Sequence, residues 1–236
     1  MAMTSTTIGM VLFPQLTQLD LTGPLEVFSR MPGARPLLVS ATRDVVPSEH
    51  GLRLVPDATF DDAPPLDVLF VPGGPGVGAA MEDERLLAYV AREGARAQWI
   101  TSVCTGALIL GAAGLLRGRR ATTHWLSLAL LAPFGAIPTR ERVVLDGNCI
   151  TGGGVTAGID FALRIVAALH GPRVAQAIQL LIEYDPAPPF EAGSPATAPA
   201  DLVAEIVSAR RGLQDERAAI VARAAARLRA RGDRPV

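Results

Sequence analysis

The chain has 236 residues, 49% of them hydrophobic and 19% charged, with a formal net charge of −1. That length can bury a large core within one α/β domain, and the composition excludes a disordered chain. A charge near zero gives no global field for nucleic acid or anionic lipid, and two cysteines far apart in sequence support neither a disulfide framework nor a zinc site.

No basic segment followed by an apolar core and a small-residue cleavage site opens the chain. The longest apolar stretch, around residues 107–116, is broken by glycines and too short to span a bilayer. A reducing cytoplasm, with no membrane and no nucleic-acid partner, is the expected setting.

Residues 7–13 are a continuous apolar run ending at Pro14, which predicts a buried first strand. In residues 18–28, Thr22 can cap a helix whose first turn accepts Pro24, with Leu25 and Phe28 on one face. Asp20 falls just before that helix, where a carboxylate also serves in turns and caps. Residues 36–41 and 52–55 read as strands, with His50 a solvated residue of the polar turn between them. Residues 67–71 form a strand that runs into a glycine loop at 72–78 and then a helix over 83–96. The loop matches neither the dinucleotide fingerprint nor a P-loop. Its glycines are better read as letting backbone N–H groups face a strand end, where they can stabilise negative charge on a reacting substrate.

The stretch 99–110 organises the rest. A short β-type run, Trp99-Ile100-Thr101-Ser102-Val103, stops at Cys104 and resumes with helical spacing after Thr105. A residue at such a strand-to-helix turn is thrust out of the sheet on a strained backbone, and Gly106 lets another segment approach. A thiol there feels the positive end of the helix dipole, which favours thiolate. The plain alternative is a buried small hydrophobe.

Residues 114–120 form a turn whose arginines are solvated. Residues 121–125 start another helix, with Thr122 or Thr123 as its cap and His124 as a hydrogen-bonded structural residue. Residues 142–145 and 149–151 fit a hairpin around Asp146-Gly147-Asn148, leaving Cys149 in the core. The cluster Gly152-Gly153-Gly154 suits close backbone packing. It feeds a helix over 156–169 that is apolar nearly all round and so predicted to be buried, with His170 at its C-terminal end. A further helix covers 173–183, and residues 185–200 are a Pro-, Ala- and Ser-rich arm. Residues 201–231 read as one long Arg-rich helix, weakened at Gly212, with Leu202, Ile206, Leu213, Ile220, Ala224 and Leu228 near one face. It lacks a second helix-turn-helix unit, so it is expected to pack on the body or on another subunit rather than on DNA.

Strands separated by helices, with glycine turns at strand ends, predict an α/β fold: a doubly wound, mostly parallel sheet with helices on both faces and a C-terminal helical extension. The site of such a sheet lies at the carboxyl ends of its strands. Asp20, the Gly73-Gly74 turn and Cys104 are the pieces that can converge there. Crowding two potential anions would raise the Asp20 pKa while the helix terminus lowers that of Cys104, setting a nucleophile beside an acid that can also act as base.

At these same residues the sequence resembles a family. Asp20-Leu21-Thr22-Gly23-Pro24, Val71-Pro72-Gly73-Gly74, Thr101-Ser102-Val103-Cys104-Thr105-Gly106 and Ala121-Thr122-Thr123-His124-Trp125 are similar to the ThiJ/PfpI superfamily, from about Thr7 through the C-terminal helix. Cys104 followed by Thr105, Asp at position 20, and the tail from Glu183 to Pro195 resemble its isonitrile-hydrating branch, which adds water to R–N≡C to give an N-substituted formamide. The resemblance implies a flavodoxin-like fold, with residues 1–200 as one ThiJ/PfpI-like domain and 201–236 as a helix packed on it or on a partner. It implies a small-molecule isonitrile substrate, no cofactor, no metal and a homodimer with the Pro-rich arm and terminal helix near the interface. By position, Cys104 would be the nucleophile, Asp20 the proton donor and later the base, and Thr105 a hydroxyl and N–H that orient the site. Gly74, Gly153 and Val155 would line it.

The chain departs from sister branches. Peptidase-like members place His directly after the nucleophile, where this chain has Thr105, and chaperone- and deglycase-like members have Glu where it has Asp20. His124 matches a family position near the thiol without an assigned catalytic role. The rival function is a non-enzymatic ligand- or oxidation-sensing domain of the same superfamily, in which the thiolate binds or is oxidised but nothing turns over.

Overall fold

The protein was analysed as a computed structural model that describes residues 5–232. Strands β1 (Thr6–Val11), β2 (Ala34–Ser40), β3 (Val46–Pro47), β4 (Arg53–Leu54), β5 (Ala58–Thr59), β6 (Val68–Val71) and β7 (Trp99–Ser102) are interleaved with helices α1 (Gln18–Phe28), α2 (Val77–Ala80) and α3 (Glu84–Gly94). Then come α4 (Gly106–Ala112), β8 (Arg120–Ala121), a 3-10 helix (Trp125–Phe134), β9 (Ile137–Pro138), β10 (Val143–Asp146) and β11 (Cys149–Gly152). Helices α5 (Ala157–His170), α6 (Pro172–Leu181), α7 (Ala200–Ala209) and α8 (Arg211–Gly232) follow.

Seven strands form one sheet in the order β10-β11-β7-β6-β1-β2-β5, parallel except where β10 runs antiparallel to β11. This is the mostly parallel α/β sheet the alternation predicts. All four residues of β6, Val-Leu-Phe-Val, are buried, as a strand covered on both faces requires. The order reverses at β1, whose neighbours are β2 on one side and β6 on the other. Right-handed crossovers from such a point place helices on opposite faces. Accordingly α1, α5 and α6 pack together, and α2, α3, α4, the 3-10 helix and α8 pack together. The carboxyl ends of β1, β6 and β7 therefore open onto one crevice.

Several elements differ from the sequence reading. Helix α1 begins at Gln18, so Asp20 lies in its first turn rather than before it, and Pro24 lies in its interior. The Pro24 ring is accommodated by packing on α5, where a Cβ on Gly158 would stand 3.0 Å from it. Thr22 is not the cap; its hydroxyl donates to the Gln18 carbonyl at 3.0 Å. Helix α5 is buried along one face only, through Ala157, Gly158, Phe161, Ala162, Ile165 and Val166.

The single long C-terminal helix is two helices, α7 and α8, parted at Arg210. Helix α8 packs on the 3-10 helix, α4 and α2, whereas α7 buries none of its residues. Residues 1–4 and 233–236, the outermost parts of the spans 1–200 and 201–236, lie outside the described residues.

Candidate active site

Cys104 leaves β7 through Val103 and adopts φ +53°, a left-handed conformation rare for a residue with a side chain. Two carbonyls hold it there: its N–H donates to Gly153 at 2.7 Å and to Gly152 at 3.2 Å, from the end of β11. The Cys104 carbonyl accepts the Thr123 hydroxyl at 2.7 Å. Gly106 opens α4 where a Cβ would stand 2.6 Å from the Pro72 carbonyl, so the helix can start against the β6 loop only without a side chain. The strand, elbow and helix predicted from 99–110 are all present. Thr122 and Thr123, read as helix caps, do other work: the Thr123 hydroxyl holds the elbow and the Thr122 N–H donates to Thr151 Oγ1 of β11 at 2.9 Å, while His124 Nδ1 caps the 3-10 helix through Leu126 N–H.

Asp20, Gly73 and Thr105 meet opposite the thiol. Asp20 is fully buried, and its Oδ2 accepts the Gly73 N–H at 2.8 Å. The Thr105 hydroxyl accepts the Gly74 N–H at 3.0 Å and donates to the Gly74 carbonyl at 3.3 Å. The Gly74 N–H, read as a substrate contact, is thus engaged in holding Thr105. A Cβ on Gly73 would stand 2.5 Å from Thr105 N and 2.9 Å from Asp20 Oδ2, so the absence of a side chain there lets acid and elbow approach. The Cys104 thiol interacts with the Asp20 carboxyl and with the Thr105 N–H. Asp20 Oδ1 is buried and closes no hydrogen bond of good geometry, which leaves it able to take a proton or a polar substrate atom.

The electrostatics match the sequence expectation for the acid and reverse it for the thiol. Burial raises the Asp20 carboxyl to about 7, against the opposing pull of the Gly73 N–H and the Cys104 thiol, and the Glu49 charge adds to the rise. Desolvation thus does what crowding alone was expected to do. Burial also pushes the Cys104 thiol well above its usual range, and the neighbouring Asp20 charge pushes it further; the Thr105 N–H lowers it too little to compensate. The helix-terminus effect predicted to favour thiolate is present but outweighed, because only 5% of Cys104 remains exposed. Burial and the neighbouring charge both favour the neutral thiol, with the Asp20 carboxyl beside it as the group able to accept its proton.

Next to the elbow lies a cleft of about 520 Å³, walled by Thr123, His124, Trp125, Leu128, Val155 and Pro195. Gly153 also lines it, with its N–H bonded to the Arg142 carbonyl at 2.8 Å and its carbonyl to Cys104. Gly153 thus joins cleft and elbow and Val155 lines the cleft, while the Cys104 side chain is not part of the cleft wall. His124 is kept neutral by burial and by the charges of Arg217 and Arg210. Among the described residues, no group of three or more His, Cys, Asp or Glu is placed to hold a metal ion. Nor is any helix long and apolar enough to cross a membrane.

The parallel sheet, the strained cysteine at a strand-to-helix elbow and the buried acid facing it define a cysteine-elbow α/β protein. The sequence profile of the DJ-1/PfpI family matches residues 6–168, and the chain belongs to that family. It is 53% identical over 226 residues to the isonitrile hydratase of Pseudomonas putida, covering 95% of this chain and 98% of that protein. A crystal structure of a ThiJ/PfpI family protein from Pseudomonas syringae superposes with a TM-score of 0.91 at 48% identity, covering 93% of this chain and 91% of that one. The HTH-type transcriptional regulator GbdR of Pseudomonas aeruginosa is 32% identical over 189 residues, which are 75% of this chain and 50% of the regulator.

Proposed function

We propose that this chain is an isonitrile hydratase, converting R–N≡C and water into R–NH–CHO without a cofactor. The observation that carries the reading is a buried carboxyl, held near neutrality by its environment, beside a strained cysteine; the near full-length likeness to the Pseudomonas putida enzyme supports it.

In the proposed reaction, Cys104 passes its proton to Asp20 and its sulfur attacks the terminal isonitrile carbon. Asp20 returns the proton to that carbon, giving the thioimidate Cys104–S–CH=N–R. Asp20, again a carboxylate, takes a proton from water as the water oxygen adds to the thioimidate carbon and delivers that proton to the nitrogen, giving Cys104–S–CH(OH)–NH–R with Asp20 again a carboxylate. Collapse breaks the C–S bond, the hydroxyl proton returns by way of Asp20 to sulfur, and the formamide departs. Thr105 holds the Gly74 loop and points its N–H at the sulfur. The neighbouring cleft gives the R group room, with Trp125, Leu128, Val155 and Pro195 suiting an apolar or aromatic one.

Loss of the isonitrile infrared stretch measures the reaction. Turnover by the parent, abolished in both Cys104→Ala and Asp20→Asn, supports the mechanism, and equal rates in all three reject it. Tight reversible binding without turnover would favour the sensing role that the half-length likeness to a regulator suggests.

We read residues 1–200 as one domain with 201–236 docked on it, and the active unit as a homodimer. Exposed Leu180 and Leu181 on α6, Phe190 in the arm, and Leu202, Ile206 and Val207 on α7 support that assembly; light scattering at the mass of one chain would refute it. Both cysteines are free thiols, which suits the reducing cytoplasm.

A further inference from the structure

The cleft beside the elbow sets charge against an apolar wall. Its charged lining residues, Arg140, Glu141 and Arg142, all lie on the segment that joins β9 to β10. Two of them are matched by partners. The Glu141 carboxylate takes Arg120 Nη2 at 2.6 Å. The Arg142 guanidinium meets Asp160 Oδ2 at 2.7 Å from Nε and 2.6 Å from Nη2, and reaches the Thr156 hydroxyl at 3.4 Å. His124 on the same wall is neutral. Among the described residues, no ion pair or hydrogen bond engages the Arg140 side chain. Arg140 thus gives the cleft a positive charge that nothing described offsets.

The backbone carrying that charge is fixed and lies near the elbow. The Thr139 N–H donates to the Ala121 carbonyl at 2.8 Å, and the Glu141 N–H to the Thr139 carbonyl at 3.0 Å. A Cβ on Gly153 would stand 3.9 Å from the Glu141 carbonyl, and the Gly153 carbonyl accepts the Cys104 N–H at 2.7 Å. The Arg140 Cα is one residue, about 3.8 Å, from that of Glu141. Hydration turns a neutral isonitrile into a neutral formamide, so the guanidinium must face a part of the substrate that does not react. A wholly apolar R group would cover the wall and leave Arg140 unmatched, whereas one ending in a carboxylate matches both.

We propose that Arg140 is a specificity-determining residue, and that the cleft selects isonitriles whose apolar R group ends in a carboxylate. The stem lies on Trp125, Leu128 and Val155, and the planar guanidinium fork takes both carboxylate oxygens. This rests on the proposed function for the isonitrile but not for the carboxylate.

The test compares 3-isocyanopropanoate and 6-isocyanohexanoate, each with its methyl ester, by loss of the isonitrile infrared stretch. At low salt, kcat/KM for the better acid is expected to exceed that of its ester by about fivefold, the scale of a partly exposed ion pair, and the excess should shrink as salt is added. Arg140→Gln is expected to remove the excess, and Arg140→Lys, which keeps the charge without the fork, to retain part of it. Equal rates for acid and ester in the parent at both lengths, or an excess untouched by Arg140→Gln, would overturn the proposal while the hydratase reading stands. A parent that hydrates neither acid nor ester sinks that reading instead. Calorimetric titration with N-formyl-6-aminohexanoate and its methyl ester then decides the carboxylate site without turnover. Tighter binding of the acid, lost in Arg140→Gln, supports it; equal affinities, or no binding of the acid, overturn it.

Discussion

The Thr123 hydroxyl donates to the Cys104 carbonyl at 2.7 Å, tying the segment before the 3-10 helix to the strained residue of the elbow. Both groups are buried, so Thr123→Val keeps the shape and leaves the carbonyl without this donor. The expected cost is about 1–3 kcal/mol, read from the midpoint of urea unfolding. Turnover should fall as well, since the same bond aims the cysteine.

Gly73→Ala places a methyl group where the Thr105 backbone and the Asp20 carboxylate already stand, 2.5 and 2.9 Å away. The groups must part, and a displacement of that kind costs roughly a hundredfold in rate. Turnover kinetics would show the loss in kcat, with thermal unfolding moving down only modestly. A variant with parental kcat would mean that the acid and the elbow need not be so close.

Strain at Cys104 separates two inactive variants. At φ +53° an alanine keeps the steric cost of a Cβ and a glycine does not. Against the greater flexibility of glycine in the unfolded chain, Cys104→Gly is still expected to be more stable than Cys104→Ala by roughly 1 kcal/mol. Paired denaturation curves decide it, and both variants should be devoid of turnover.

Asp20 gives stability a pH dependence of known sign. In the unfolded chain its carboxyl titrates near 3.8, and in the native protein at about 7. Between those values the native state holds the extra proton. The contribution of Asp20 is therefore most favourable below the lower value and declines as pH rises through the window, by up to about 1.4 kcal/mol per unit. Asp20→Asn does not titrate, so its stability should gain on the parent steadily across that window. Urea unfolding at several pH values within it measures the difference, and parallel curves would contradict the burial that raises the carboxyl.

Much of this architecture was legible along the chain. Apolar runs ending at Pro14, Val71 and Cys104, each followed by a glycine or proline loop and a helical pattern, imply the parallel sheet and the line of strand ends that carries the site. Asp20, Cys104 and Thr105 stood out because their residue types at those junctions are chemically informative.

Periodicity and turn chemistry are local properties, so they alone determined which segments became strands and helices and where cysteine interrupted them. Boundaries shifted where distant contacts outweighed local preference: Pro24 entered the interior of α1 because Gly158 makes room for its ring, and Thr123 left its expected cap to serve Cys104. The protonation of the site belonged wholly to the folded molecule. Whether Cys104 is thiol or thiolate, and Asp20 acid or base, depends on how much water packing removes and which charges it brings near. Those quantities arise only when residues 20, 73 and 104, remote along the chain, are brought to one end of the sheet.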